Sequence, residues 1–176
     1  MLFGLPGRFA VESDIYSVSS GNLLGYLCLW ADDKKIGSSE QNIVLQTPQI
    51  FIRDFLDFQG PRNHSSFDAK SDAEILEIVR WSLYSDDEDG THELLYAPYR
   101  RYSSIYRKCE VCPQLSPSFD GDRAILLEYP DQAWFIWQAF EDQTISKIAL
   151  HLGECQFALQ AFVDWVDARE QDQESM

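Results

Sequence analysis

The last third of the chain contains two apolar runs separated by a tight turn, and this pattern constrains the fold most strongly. Residues 124–129 and 133–138 are rich in aliphatic and aromatic side chains, and Pro130-Asp131-Gln132 lies between them. Two such runs joined by so short a connection predict a β-hairpin. Residues 144–150 continue the pattern as a third strand, so this third of the chain is predicted to form an antiparallel sheet.

The first fifth of the chain also carries a strand pattern. Residues 8–18 place Phe9 and Val11 on one face and Ala10 and Glu12 on the other, which predicts a strand. Residues 23–30 are apolar on both faces, and such a strand is central in its sheet or covered on both sides. Short strands are predicted at residues 35–37 and 43–45.

Three segments have helical signals. Thr47-Pro48 predicts an N-cap hydroxyl followed by proline in the first turn, and Phe51, Phe55 and Phe58 then form one apolar face. Residues 71–74 match a capping box ahead of an amphipathic helix that continues to residue 83. A final helix begins near residue 153. Residues 93–119 are predicted to be irregular because three prolines interrupt them.

These elements predict an α+β fold, a single domain with a mainly antiparallel β-sheet and about three packed helices. The domain is predicted to span residues 1–169, and residues 170–176 are expected to be a polar, frayed tail.

Composition limits the possible partners. The 176 residues carry 14 basic and 29 acidic side chains, a net charge of −15, and 45% are hydrophobic. A chain this apolar builds a core, whereas its negative charge opposes binding to nucleic acid or an anionic membrane.

No apolar run reaches the ~18 residues of a membrane span, and the N-terminus lacks signal-peptide features. We expect a cytoplasmic protein without a cofactor that suits a basic partner.

Two segments are candidate contact surfaces. The run Asp86, Asp87, Glu88 and Asp89 is the densest in negative charge, and such a run either keeps the protein soluble or steers a basic protein toward it. The segment that follows interleaves aromatic and basic side chains. Its tyrosines Tyr96, Tyr99 and Tyr102 are candidate anchors, because a loop-borne aromatic side chain loses little rotamer entropy on binding. A similar pattern binds single-stranded nucleic acid in basic proteins, but here the cations are expected to balance neighbouring carboxylates.

Cysteine and histidine residues leave two alternatives. Cys109 and Cys112 have the spacing of half a zinc site, which His151 and Cys155 complete only if the fold brings them close. The isolated histidines leave open a small hydrolase or ligand-binding domain that uses cysteine and histidine side chains. Two ordinary thiols are the simpler interpretation, because no second metal-binding motif and no nucleophile motif is present.

The N-terminal strands resemble a known family. Met1-Leu2-Phe3-Gly4, Arg8-Phe9-Ala10-Val11-Glu12, residues 24–30 and Ile36-Gly37 are similar to the immunity protein 42 family of bacterial polymorphic toxin systems of the contact-dependent inhibition type. The resemblance implies a small cytoplasmic, non-enzymatic protein that binds and neutralises the C-terminal domain of a toxin encoded beside it. The acidic surface favours a basic toxin such as a nuclease, inhibited by occlusion.

Overall fold

The computed structural model describes residues 1–58, 60–84, 91–112, 115–141 and 143–174, without the side chains of residues 91–94 and 174. Two antiparallel sheets are formed by nine strands in these ranges. The first sheet contains β1 (Leu2–Leu5), β2 (Phe9–Ser19), β3 (Asn22–Ala31), β4 (Lys34–Ile36) and β5 (Ile43–Val44). The second contains β6 (Glu110–Cys112), β7 (Arg123–Glu128), β8 (Ala133–Gln138) and β9 (Ile145–Leu150).

Five α-helices accompany the sheets in the described part of the chain. They are α1 (Gln46–Asp57), α2 (Asp72–Leu83), α3 (Thr91–Arg100), α4 (Ser103–Cys109) and α5 (Glu154–Glu174). The α+β class and the antiparallel pairing are confirmed, but the prediction of about three helices was too low.

The first sheet is built around β3. Its strand order is β1-β2-β3-β4, and β5 also pairs with β3, so β3 is central as its two apolar faces predict. A register shift between Ile15 and Ser17 interrupts the long β2–β3 ladder. Gly25 lies opposite Ile15, and a Cβ at this glycine would approach Asp14 O to 1.9 Å, so only glycine fits this position.

The second sheet is a meander in the order β6-β7-β8-β9. Its central hairpin confirms the predicted antiparallel pairing and places Leu126 opposite Phe135. Leu126 and Phe135 join the core cluster shared with the first sheet, whereas Ile125 and Ile136 join a second cluster. This sheet is therefore covered on both faces, which explains why its strands are apolar runs without polar alternation.

The first cluster joins both sheets to α1 and α5, and the Phe9 and Phe135 rings meet there at 5.0 Å. The second cluster places α2 and α4 on the other face of the second sheet. Among the described residues, no helix is both long enough and apolar enough to cross a membrane.

The predicted irregular segment is wrong over most of its described length. Residues 93–100 lie in α3 and residues 103–109 in α4, although Pro98 lies within α3. Proline removes one backbone donor, but Tyr96 and Tyr99 pack against the second cluster and favour the helix.

The final helix also extends beyond the sequence-based estimate. It continues to Glu174, so residues 170–174 are helical rather than the expected tail. The extent of the domain stays a prediction.

Candidate functional site

Two of the three candidate tyrosines lie on a helix, and the third lies in the short turn that follows it. Tyr96 and Tyr99 belong to α3, and Tyr102 precedes α4 as its N-cap residue. All three are half-buried against the second cluster, and the Tyr96 ring stacks on Trp81 at 6.2 Å. Their rings are thus held in place by the core, and the helical placement of Tyr96 and Tyr99 corrects the expectation of loop-borne anchors.

The basic residues among these tyrosines lie over aromatic rings. The Arg101 guanidinium is 4.8 Å from the Tyr102 ring centroid, and the Lys108 ammonium is 3.8 Å from that of Phe58. Arg107 lies over the Tyr84 ring at 5.9 Å. These contacts are cation–π interactions. Among the described residues, these three cations therefore have aromatic partners, whereas carboxylate partners were expected from the sequence.

The predicted steering run, Asp86 to Asp89, falls outside the described residues. Elsewhere on the described surface, many exposed carboxylates form no salt bridge. They are Asp14, Asp32, Asp33, Glu40, Asp54, Asp57, Asp68, Asp120, Asp131, Glu141 and Asp164. The negative charge of this chain therefore reaches solvent over a wide area.

The two candidate zinc ligands face different parts of the core. Cys109 belongs to the second cluster and its Sγ donates to Ile105 O at 3.6 Å, whereas Cys112 belongs to the first cluster. Burial raises the pKa of the Cys109 thiol to about 12, and burial raises that of Cys112 as well. Within the described ranges, no group of three or more histidine, cysteine or acidic residues could hold a metal ion. This arrangement favours ordinary buried thiols.

A serine–histidine contact exists, but it caps a turn. His64 Nδ1 lies 2.9 Å from Ser66 Oγ and accepts the Ser66 backbone N–H at 3.1 Å, and this N–H begins the 3-10 turn at residues 65–67. Tyr106 OH, which is fully buried, bonds Ser66 Oγ at 2.7 Å. A nucleophile needs a base free to take its proton, and this Nδ1 is engaged by the backbone. The hydrolase alternative gains no support here.

The open face of the first sheet carries an aromatic cluster around one carboxylate. Glu12 accepts hydrogen bonds from Tyr26 OH at 2.9 Å and Trp30 Nε1 at 2.7 Å, and Lys35 lies 3.2 Å away. Although burial opposes ionisation, these donors together hold the pKa of Glu12 below its usual range. Because the Glu12 carboxylate already binds Tyr26, Trp30 and Lys35 of its own chain, few of its acceptor positions are free for a partner protein.

Helix α1 does not bury its whole aromatic stripe. Its buried residues are Pro48, Gln49 and Ile52, whereas the Phe51 side chain is 40% exposed. Phe55 packs against the first cluster, and Phe51, Phe55 and Phe58 together line one side of a groove of about 600 Å³ between α1 and α4. The sequence shows the aromatic stripe by its spacing, but it gives no sign that these residues line a groove.

The groove has an apolar floor and charged edges. Val111, Leu115 and Leu159 form the floor. Asp54 and Asp57 of α1 stand at the near edge, and Arg107 and Lys108 of α4 stand at the far edge. We call this cavity the α1 groove.

A buried arginine fixes the aromatic side of the α1 groove. Arg62 donates from Nη2 to Phe55 O at 2.6 Å, from Nε to Lys108 O at 3.1 Å and from Nη1 to Glu128 Oε2 at 2.7 Å. Its guanidinium also lies 4.3 Å from the Phe55 ring centroid. The end of α1, the end of α4 and β7 are thereby joined at one point.

The comparisons with known proteins agree with this fold. The family model of immunity protein 42 matches residues 1–165. A search of curated proteins gives no match. The crystal structure of CdiI from Burkholderia dolosa AUO158 superposes with a TM-score of 0.70 at 18% identity, covering 93% of this chain and 99% of that chain. That identity is low, so this likeness concerns the fold.

Proposed function

This chain belongs to the immunity protein 42 family, and we propose that it neutralises its cognate toxin by occlusion through an acidic surface. An immunity protein acts without catalysis, so its effect depends on the affinity and the rate of association. We propose further that the toxin domain is a basic protein such as a nuclease, and that the complex forms in the cytoplasm without nucleic acid.

The observation that carries the proposal is the charge on the surface. Eleven exposed carboxylates of the described residues, the set given above, form no salt bridge. The described cations, by contrast, largely lie beside carboxylates or over rings, as Arg8 does with Glu154 and Lys147 with Asp72. A basic domain is attracted to such a surface, with association rates raised by roughly 10- to 1,000-fold at low salt.

Asp86 to Asp89 are proposed as part of this steering surface. The half-buried rings of Tyr96, Tyr99 and Tyr102 are proposed as supporting contacts, because side chains already held by the core lose little entropy on binding.

Co-expression with the C-terminal domain of the adjacent toxin tests the proposal. We expect the two proteins to co-purify in a 1:1 complex in which the toxin is inactive, and we expect this chain to remain unchanged by the reaction. A toxin that stays active in the presence of excess immunity protein would refute the proposal.

A further inference from the structure

The α1 groove combines features that are rarely exposed together on a protein without a partner. Its aromatic edge includes Phe51, and the neighbouring Ile50 is 59% exposed. Exposed apolar side chains beside a concave surface mark interaction sites when polar residues surround them. Here Asp54 and Asp57 supply that polar edge.

The two carboxylates on the α1 side of the groove have no salt-bridge partner among the described residues. Asp54 and Asp57 are exposed and form no salt bridge to any described residue. The α1 cation Arg53 is bound instead to Asp167 of α5. Lys108 and Arg107 at the far edge lie over the Phe58 and Tyr84 rings and keep their charges, so the groove is negative along α1 and positive along α4.

The groove is also formed in advance of binding. Arg62 packs against the Phe55 ring and holds the backbone at both sides of the groove, as described above. The buried Ile52 anchors α1 on the core from beneath. A preformed pocket gives more affinity per contact because little conformational entropy is lost on binding.

We propose that the cognate toxin docks in the α1 groove, inserting an apolar side chain flanked by lysine or arginine residues that pair with Asp54 and Asp57. This inference rests on the proposed function and names the surface through which it is carried out. The apolar side chain would contact Phe51 and the groove floor, while the cations would meet the two carboxylates.

The direct test compares Phe51→Ala with Phe157→Ala, which removes an equally large side chain that is 73% exposed on α5. Binding of the purified toxin domain is measured by surface plasmon resonance. We expect Phe51→Ala to weaken binding by about 10- to 100-fold, mainly through faster dissociation, and Phe157→Ala to change it by less than about 3-fold. Equal effects of the two substitutions would overturn the assignment.

The electrostatic part is tested with a charge-matched pair of double variants. Asp54→Asn with Asp57→Asn should slow association about 3- to 10-fold at low salt. Asp131→Asn with Glu141→Gln removes the same charge from the exposed β7–β8 turn and the exposed β8–β9 loop, and should slow association less. If both double variants slow association equally, the carboxylates of α1 have no special place in the complex.

A photo-crosslinking amino acid at position 51 provides a readout independent of affinity. We expect it to form an adduct with the toxin domain, whereas the same group at position 157 should not. If the wild-type protein binds the toxin but position 51 gives no adduct, only the docking assignment fails. If the wild-type protein does not bind the toxin, the proposed function fails with it. A wild-type dimer that Phe51→Ala dissociates, with toxin binding unchanged, would assign the groove to a second copy of this chain.

Discussion

Arg62 is a nearly fully buried cation whose role can be isolated by substitution. Its side chain is 4% exposed and pairs with Glu128, and its remaining donors bind two backbone carbonyls. Removing one partner of a buried pair leaves the other charge uncompensated, which costs about 3–5 kcal/mol. The sequence offered no sign of this role, because a lone arginine in a polar loop has the same pattern as a surface cation.

We therefore predict that Arg62→Met lowers the free energy of unfolding by about 3–5 kcal/mol in urea denaturation. The matched control is Arg169→Met, which removes an exposed arginine 3.5 Å from Asp172 and should cost less than about 1 kcal/mol. A cost for Arg62→Met no greater than that of the control would contradict this role.

The cysteine thiols should be unreactive in the folded protein. Burial raises the pKa of Cys28 to about 11 and that of Cys109 to about 12, so both are protonated at pH 8. Because the thiolate is the reactive form, we expect a disulfide reagent to modify the native thiols at least about 100-fold more slowly than those of the urea-unfolded chain. A native thiol that reacts as fast as free cysteine would contradict the buried placement.

The same shifts give a pH dependence of stability. A thiol whose pKa is higher in the folded state keeps its proton while the unfolded thiol loses one near pH 8.5. The stability that this proton provides is complete below pH 8.5 and is lost as pH rises toward the folded pKa values. We predict that the free energy of unfolding falls between pH 8 and pH 10.5, measured by urea denaturation, and that substitution of Cys28 by Ser reduces the slope.

Among the secondary-structure elements, α1 and α2 show how far capping can be predicted. The capping box at Ser71 is confirmed, with the Ser71 hydroxyl accepting from Glu74 N at 3.3 Å and Glu74 accepting from Ser71 N at 2.9 Å. The predicted N-cap at Thr47 is wrong, because α1 begins at Gln46 and its N-cap, Leu45, makes no side-chain cap bond. Leu45 is fully buried, so core packing rather than a hydroxyl determines where α1 begins.

These two sites form a matched pair of variants. Ser71→Ala removes a cap and should cost about 1 kcal/mol of unfolding free energy, whereas Thr47→Ala removes none and should stay within about 0.5 kcal/mol of wild type. The Ser71 backbone hydrogen bond and the Lys70 side chain lower the pKa of Glu74 to about 2. We therefore expect NMR titration to find that pKa raised in Ser71→Ala, since the hydroxyl bond to Glu74 is lost. Equal costs for the two substitutions would contradict the capping assignment.

Periodicity predicts that α1 is a helix but not which of its residues are most deeply buried. The stripe of Phe51, Phe55 and Phe58 has helical spacing, yet the buried residues include Ile52 and Gln49, which lie outside it. Gln49 is tolerated there because it donates to Asp167 at 2.7 Å, a contact between distant parts of the chain. Such a contact leaves no trace in local spacing, so the groove could not be found from sequence alone.

At the scale of the whole molecule, net charge can be predicted from the sequence more completely than the fold or the binding site. The net charge of −15 follows directly from the residue counts, and the structure adds which carboxylates are left without a cation. Long-range steering depends on the sum of these charges, whereas binding strength depends on a few contacts near the centre of an interface. The two contributions should therefore respond to different substitutions.

Simultaneous substitution of Asp86, Asp87, Glu88 and Asp89 by their amides tests the steering contribution. We expect association with the toxin to slow about 3- to 10-fold at low salt, with little change in dissociation or in the urea midpoint. Failure of this variant to fold would show that the acidic run is needed for the structure itself.

The most direct test of the account is the rate of association between this protein and its cognate toxin domain at increasing salt. Stopped-flow measurements at about 20 mM and about 500 mM NaCl change the Debye length from about 20 Å to below 5 Å. We expect the association rate to fall at least 10-fold over this range while an inactive 1:1 complex still forms. An association rate that does not change with salt would contradict the claim that an acidic surface captures a basic toxin.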